Sequence, residues 1–412
     1  MSKVNVNKRE VKIPNEYFSN LKPGCESFEQ ILKVQPLITA FTATNVPYKI
    51  VVELPNVNFR LNEMFLEAAI TGTMTSNNGG DSVATVLPAV VPYATSMINQ
   101  ARLIAGSTEV LNFRQVNTRY NWQQNMMTNS INRLEQQYNN LSPVNFNTTA
   151  TQTFRFPLTA LGSDFFSLQD GIWPGYHVKK CNLEIYWEAP QYCMYYQGTA
   201  LGTITFGYSV SNFNLQVVAI SDPNLDKMIS TRGMILNYLE WYWYQQSIST
   251  AATQTIQIPT AFASVRGIVW GIRTVASLTT TSAAGKQYLM SSELTDLVSL
   301  DLRINSQKRQ NDVFVGVNEA IAETRRLFPI AKQSDYWSSL SLNQTTHQML
   351  GMLAGQCYPT SCISGLNSQA IQSQMYLEFT LTSNLSTASV IDIFIIHDRA
   401  ITVSNSSLYI DE

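Results

Sequence analysis

The segment from Val298 to Phe328 changes hydrophobic period once, from two to between three and four, and that change limits what the chain can fold into. In Val298-Ser-Leu-Asp-Leu-Arg-Ile304, Val298, Leu300, Leu302 and Ile304 alternate with Ser299, Asp301 and Arg303. A period of two places the apolar set on one face of a half-buried β-strand. Beyond the polar connection 305–311, Val313, Val317, Ile321, Thr324 and Phe328 recur at helical spacing. Asp312 is placed to cap the helix, Arg325 and Arg326 suit its last turn, and Pro329 stops it. The spacing therefore predicts a helix over Asp312–Phe328. The same pairing occurs earlier: Ala101, Leu103 and Ala105 alternate, then Tyr120, Met127, Ile131, Leu134 and Tyr138 recur helically, which predicts a helix over Asn117–Tyr138.

Strand signals dominate the rest of the chain. Ile50, Val52 and Leu54 alternate with Val51 and Glu53, and Cys181–Trp187 and Phe213–Ala219 alternate cleanly. In the second half, Ile235, Leu239, Trp241 and Trp243 oppose Tyr238, Glu240, Tyr242 and Tyr244, and Met375–Leu381 alternates likewise. Val390–Ile396 is apolar apart from Asp392, the pattern of a strand deep in a sheet. The landmarks fall in the same order in both halves: Ile50 and Ile235, the two helices, Cys181 and Met375, Phe213 and Val390. Such repetition points to a duplicated module. Long Asn-, Thr- and Gly-rich connections between strands suit sandwiches with elaborate loops. The expected fold is all-β: two tandem eight-stranded jelly-roll sandwiches with short inserted helices, a double jelly roll. Expected boundaries are an extended arm over 1–40, a first roll over 41–220, a polar linker over 221–232 and a second roll over 233–412.

Charge is scarce in this chain. Only 14% of the 412 residues are charged, against roughly 25% in an average soluble protein. Asn, Gln, Ser, Thr and Tyr must then supply the surface, and neutral amides and hydroxyls cost far less to desolvate than charges. Large protein–protein contacts are the natural use of such a surface. The net charge is −2, with no long basic stripe, so direct sequence-specific nucleic-acid binding is not expected. No apolar secretory core follows Met1, and no apolar run is long enough for a bilayer helix. The five cysteines (Cys25, Cys181, Cys193, Cys357, Cys362) are odd in number and fit no framework, so free thiols in a reducing compartment are expected, Cys181 as a buried one.

No catalytic, cofactor-binding or metal site is expected. His177, His347 and His397 are far apart and form no metal-binding spacing, and Cys357 and Cys362 lack completing ligands. Hydrolase, nucleotide and dinucleotide fingerprints are absent. His397 beside Asp398 reads as a structural strand-end contact rather than a catalytic base and its orienter. In Trp241-Tyr-Trp-Tyr244, strict alternation predicts Trp in the sandwich core and Tyr towards a neighbouring element, in preference to a stacking platform.

Several segments resemble one family. They are Asn212–Ile220 followed by Asp222-Pro-Asn-Leu, the aromatic strand Asn237–Tyr244, the strand–loop–helix Leu302–Phe328, and the closing strands Met375–Thr382 and Val390–Ile401. Together they are similar to the double jelly-roll major capsid proteins of the adenovirus and tailless membrane-containing phage lineage, especially those of virophages, Polinton-like viruses and adintoviruses. The resemblance implies a non-enzymatic structural protein of an icosahedral DNA virus, located in the virion capsid and assembled inside the host cell. It implies pseudo-hexagonal homotrimers, contacts with neighbouring capsomers, and penton and minor capsid proteins as partners, with an internal membrane as a further candidate. The alternatives are a tandem jelly-roll carbohydrate-binding or attachment spike protein, and a jelly-roll glycosidase using two facing carboxylates.

Overall fold

A computed structural model describes residues 28–412 apart from 45–46, 77–88, 92–93, 121–143, 147–150, 162–164, 169–170, 179, 195–203, 260–261, 275–296, 305–306, 309–313, 316, 328–349, 355–364, 370–373, 386, 405–406 and 412. The strands of the first half are β1 (Phe28–Val34), β2 (Phe41–Thr42), β3 (Tyr48–Glu53), β4 (Asn58–Arg60), β5 (Phe65–Ser76), β6 (Ala89–Val91), β7 (Ile98–Ala105) and β8 (Thr108–Phe113). They continue with β9 (Val144–Phe146), β10 (Thr151–Pro157), β11 (Ile172–Pro174), β12 (Cys181–Trp187), the short helix α1 (Pro190–Cys193) and β13 (Ile204–Ser221). Helix α2 (Pro223–Arg232) leads to β14 (Met234–Ile248), β15 (Thr253–Ile258), β16 (Val265–Thr274), β17 (Leu297–Ile304), β18 (Gln307–Lys308) and β19 (Phe314–Val315). Helix α3 (Val317–Leu327), β20 (Leu350–Leu353), β21 (Met375–Leu381), β22 (Ser389–Ser404) and β23 (Ser407–Asp411) complete the chain.

The two halves share one antiparallel pairing diagram. In the first, β10, β5, β13 and β2 lie side by side, facing a second sheet in the order β3-β12-β7-β8. In the second, β20, β16, β22 and β14 correspond to the first sheet, and β15-β21-β17 with β18 and β19 to the other. Counting the principal strands of each half from one to eight, both make sheets ordered 1-8-3-6 and 2-7-4-5, the double Greek key of a jelly roll. The diagram revises one landmark: the Ile50 strand is second in its roll and Ile235 opens the first strand of the next, so they are not equivalents. Cys181 and Met375 both open seventh strands, and Phe213 and Val390 both lie on eighth strands, as the repeat requires.

Each sandwich buries its facing apolar rows. Phe154, Phe156, Trp187, Phe213 and Trp173 fill the first core, and Trp270, Leu300, Leu377, Phe379 and Ile393 the second. The first core also takes in Met234, Leu236, Tyr238, Ile401 and Val403, where the second half begins and ends, so the two rolls are packed together by side chains. Cys181 is buried as expected, and desolvation pushes its thiol up to about 12. Cys181 and Cys193 are free thiols, while Cys25, Cys357 and Cys362 lie outside the described residues.

Between the rolls, Asp222 caps α2 by accepting from the Asn224 and Leu225 amides at 2.9 and 3.4 Å, with Pro223 in the first turn. Gly233 ends it at φ 72°, where a Cβ would meet the Val403 carbonyl at 3.0 Å.

Several expectations are corrected. The span 1–40 is not wholly an arm outside the sandwich: Phe28–Val34 pairs with β13 from Phe28↔Ser221 to Val34↔Leu215. Leu32 and Val34 pack on the core, but Ile31 on the opposite face is 68% exposed, so apolar residues fall on both faces and mask the alternation. The second helix starts at Val317, after β19, so Asp312 does not cap it; Asp312 itself lies outside the described residues. Of the first predicted helix, Asn117–Tyr120 are helical, in a turn that starts at Val116, and the remainder lies outside the described residues. Val298 is 44% exposed, and Leu297 takes its place in the core, because the β17–β21 register shifts between Leu297 and Ser299.

Candidate assembly surfaces

The surface where the rolls meet carries a buried polar cluster. On β16 and β22, the Arg273 Nε donates to Asp392 Oδ2 at 2.5 Å, with both side chains almost fully buried. The other carboxylate oxygen of Asp392 accepts from Trp243 Nε1 and Gln245 Nε2, each at 2.9 Å. Two carboxylate oxygens thus take three donors, the satisfaction that a buried charge requires. The cluster reaches the first roll through Arg273 Nη1, which donates to Thr118 Oγ1 at 3.3 Å. Next to it, the Arg119 guanidinium lies 5.1 Å from the centre of the Trp241 ring. Asn117 of the same helical turn donates to Glu188 at 3.1 Å, and burial holds the Glu188 carboxyl above its usual range against that bond and one from the Ala189 amide.

This geometry reverses the expectation for the aromatic tract. Tyr238 belongs to the first roll's core and Tyr244 packs on the second. Trp241, 7% exposed, belongs to neither core; it lies on the outer face of its sheet with Phe394 (ring centres 6.3 Å apart), under Arg119. The other roll buries that outer face, so strand alternation could not reveal which side was the core.

At the far end of the same sheet, Arg266 grips the Asp398 carboxylate at 2.6 and 2.7 Å and Ser264 Oγ donates to it at 2.6 Å. His397 does not meet that carboxylate: its Nδ1 lies 3.3 Å from the Asp398 main-chain carbonyl, its ring stacks on Phe262, and its Nε2 is 3.9 Å from Glu240. Glu240 is bonded by Arg399. Burial lowers the His397 pKa to about 4, Arg399 adding to the effect and the bond to the Asp398 carbonyl opposing it. His177 lies 3.9 Å from Asp226, and His347 is outside the described residues. Among the described residues no group of three or more His, Cys, Asp or Glu is arranged to hold a metal ion.

Charges that face outward gather on the other sheets. Lys49, Glu184, Arg102 and Glu109 form a chain of ion pairs across β3, β12, β7 and β8, at 3.1, 3.0 and 2.5 Å. Burial raises the Glu184 carboxyl, but hydrogen bonds from Lys49 and Tyr186 outweigh it and hold the pKa below the ordinary value. In the second roll Arg303 pairs with Glu378 at 2.6 Å and with Asp301 at 3.2 Å. Glu184 and Glu378 are each the fourth residue of a seventh strand, so the repeat preserves a charge as well as a fold.

The outer face of the first roll's larger sheet carries a row of hydroxyls beside its charged side chains, Arg60 on Glu29 and Glu67 and Arg155 at Gln216. Thr151, Thr71, Ser209 and Thr42 stand side by side across β10, β5, β13 and β2. Thr71 and Thr151 hydrogen-bond at 2.7 Å, and Thr42, Thr73, Thr151 and Thr153 are exposed. This row was not found in the sequence, because its members come from four distant segments.

Strand order, paired sheets and the repeated diagram define the fold as a double jelly roll. Neither protein-family models nor curated proteins gave a match to the sequence. Solved structures do match over nearly the whole chain. The capsid protein VP54 of PBCV-1, fitted into a reconstruction of the virophage Sputnik, is similar at a TM-score of 0.60 and 10% identity, covering 95% of this chain and 98% of its own. The Faustovirus major capsid protein is similar at 0.61 and 11%, covering 94% and 92%. The mavirus major capsid protein is similar at 0.54 and 10%, covering 92% and 90%.

Proposed function

We propose that this chain is the major capsid protein of an icosahedral virus, acting in the virion as a pseudo-hexagonal homotrimer that contacts neighbouring capsomers. The carrying observation is one pairing diagram used twice in a single chain: three copies then present six similar rolls, and six-neighbour packing follows from threefold symmetry. The full-length similarity to capsid proteins of large viruses and virophages supports the same reading. Penton and minor capsid proteins, and an internal membrane, are the further partners of this reading. It takes 41–220, joined by the β1 strand Phe28–Val34, as the first roll, 221–232 as the linker and 233–412 as the second. It gives the protein no catalytic role.

Light scattering tests the trimer. Neutral interfaces have few charges for salt to screen, so micromolar protein should show about three times the 46.2 kDa chain mass at both low and high salt. A stable monomer in both would favour the tandem binding module instead.

A further inference from the structure

Within the chain the rolls meet head to tail. The turn at 116–120, directly after the fifth strand β8, covers the outer face of the second roll's larger sheet, through Thr118 on Arg273 and Arg119 on Trp241. Phe394 and Asp392 on that face are fully buried. The first roll has the same sheet with the same strand order, but its outer face carries the exposed hydroxyl row. The contact is heterologous: the two surfaces that meet are different, and among the described residues the outer face of the first roll's larger sheet is left without the cover that its counterpart in the second roll receives. Repeated by rotation, such a contact closes a ring.

We propose that the Thr42–Thr71–Thr151–Ser209 face of the first roll seats against the second roll of another copy, repeating between chains the contact that joins rolls within one. The inference rests on the trimer reading of the preceding section and adds to it the surface that forms the seam. Its chemistry suits the role. Exposed threonines desolvate at low cost and can bond across a seam through either donor or acceptor. The position is comparable: the buried contact lies near the end of the third strand and the start of the eighth, at Arg273 and Asp392, and the hydroxyl row lies in the second half of β5 and the first third of β13. Farther along the face the charged side chains are held in place, Glu67 and Arg155 both bonding Gln216 at 2.5 and 3.3 Å.

The test places charge on exposed positions of that face, which leaves the fold intact. The full-length Thr73→Lys/Thr151→Lys variant and the single Thr151→Lys variant are compared with wild type and with Val51→Lys, which puts one lysine on the exposed side of the other sheet. Circular dichroism and melting temperature report folding, and light scattering reports mass. Three chain masses for wild type and Val51→Lys, with one chain mass for a folded double variant, is the expected result. If the double variant misfolds, Thr151→Lys alone is read in the same way. A wild-type trimer with a variant that stays trimeric overturns the seam and leaves the capsid reading standing, whereas a monomeric wild type overturns both.

Discussion

Asp392 lies at the centre of a surface where a charge-poor chain spends its charge on structure. Its carboxylate is bound by Arg273, Trp243 and Gln245 with no access to water. Asp392→Asn should leave a buried guanidinium without its counter-charge, a change that costs about 3–5 kcal/mol in comparable buried pairs. A lower urea midpoint with unchanged slope would record it, and a midpoint equal to wild type would contradict it. His397 gives a pH-dependent counterpart. Its folded pKa of about 4 lies below the unfolded value near 6.5, so between those pH values the unfolded chain binds more protons. The stability gained from the neutral ring is present above pH 6.5 and lost as pH falls towards 4, an effect on the order of 3 kcal/mol. His397→Gln removes the titration, so the melting-temperature difference between wild type and variant should shrink from pH 7 to pH 4. A constant difference would show that His397 is not held neutral.

Strand β1 is the element whose role changed most between sequence and structure. Removing residues 1–27 leaves the Phe28–Val34 pairing with β13 in place and gives the reference melting temperature. Removing 1–34 strips β13 of its partner and uncovers the core beneath Leu32 and Val34, and should lower the melting temperature clearly. Equal melting of the two truncations would place β1 outside the fold after all. The sequence showed the strands best where one face is buried and the other wet, as at Cys181–Trp187 and Met375–Leu381. It misplaced Val298 because a register shift moves the side chain without altering the pattern of letters. It misassigned Trp241 because the neighbouring roll buries the second face of that sheet. The hydroxyl row could not be read at all, since only strand order brings residues 42, 71, 151 and 209 together.

At the scale of the whole molecule, the repeated 1-8-3-6 and 2-7-4-5 diagram ties fold to function. The repeat was visible in the spacing of seventh and eighth strands, although its first landmark was misaligned by one strand. What spacing could not reveal is that the first core extends into Met234, Leu236, Ile401 and Val403, which fixes the rolls as one packed unit. A packed pair of like rolls is the building block that the proposed pseudo-sixfold capsomer needs. Electron microscopy of the purified protein tests this most directly: particles should show a hexagonal outline with threefold symmetry, six rolls around a centre, while elongated two-lobed single chains would contradict it.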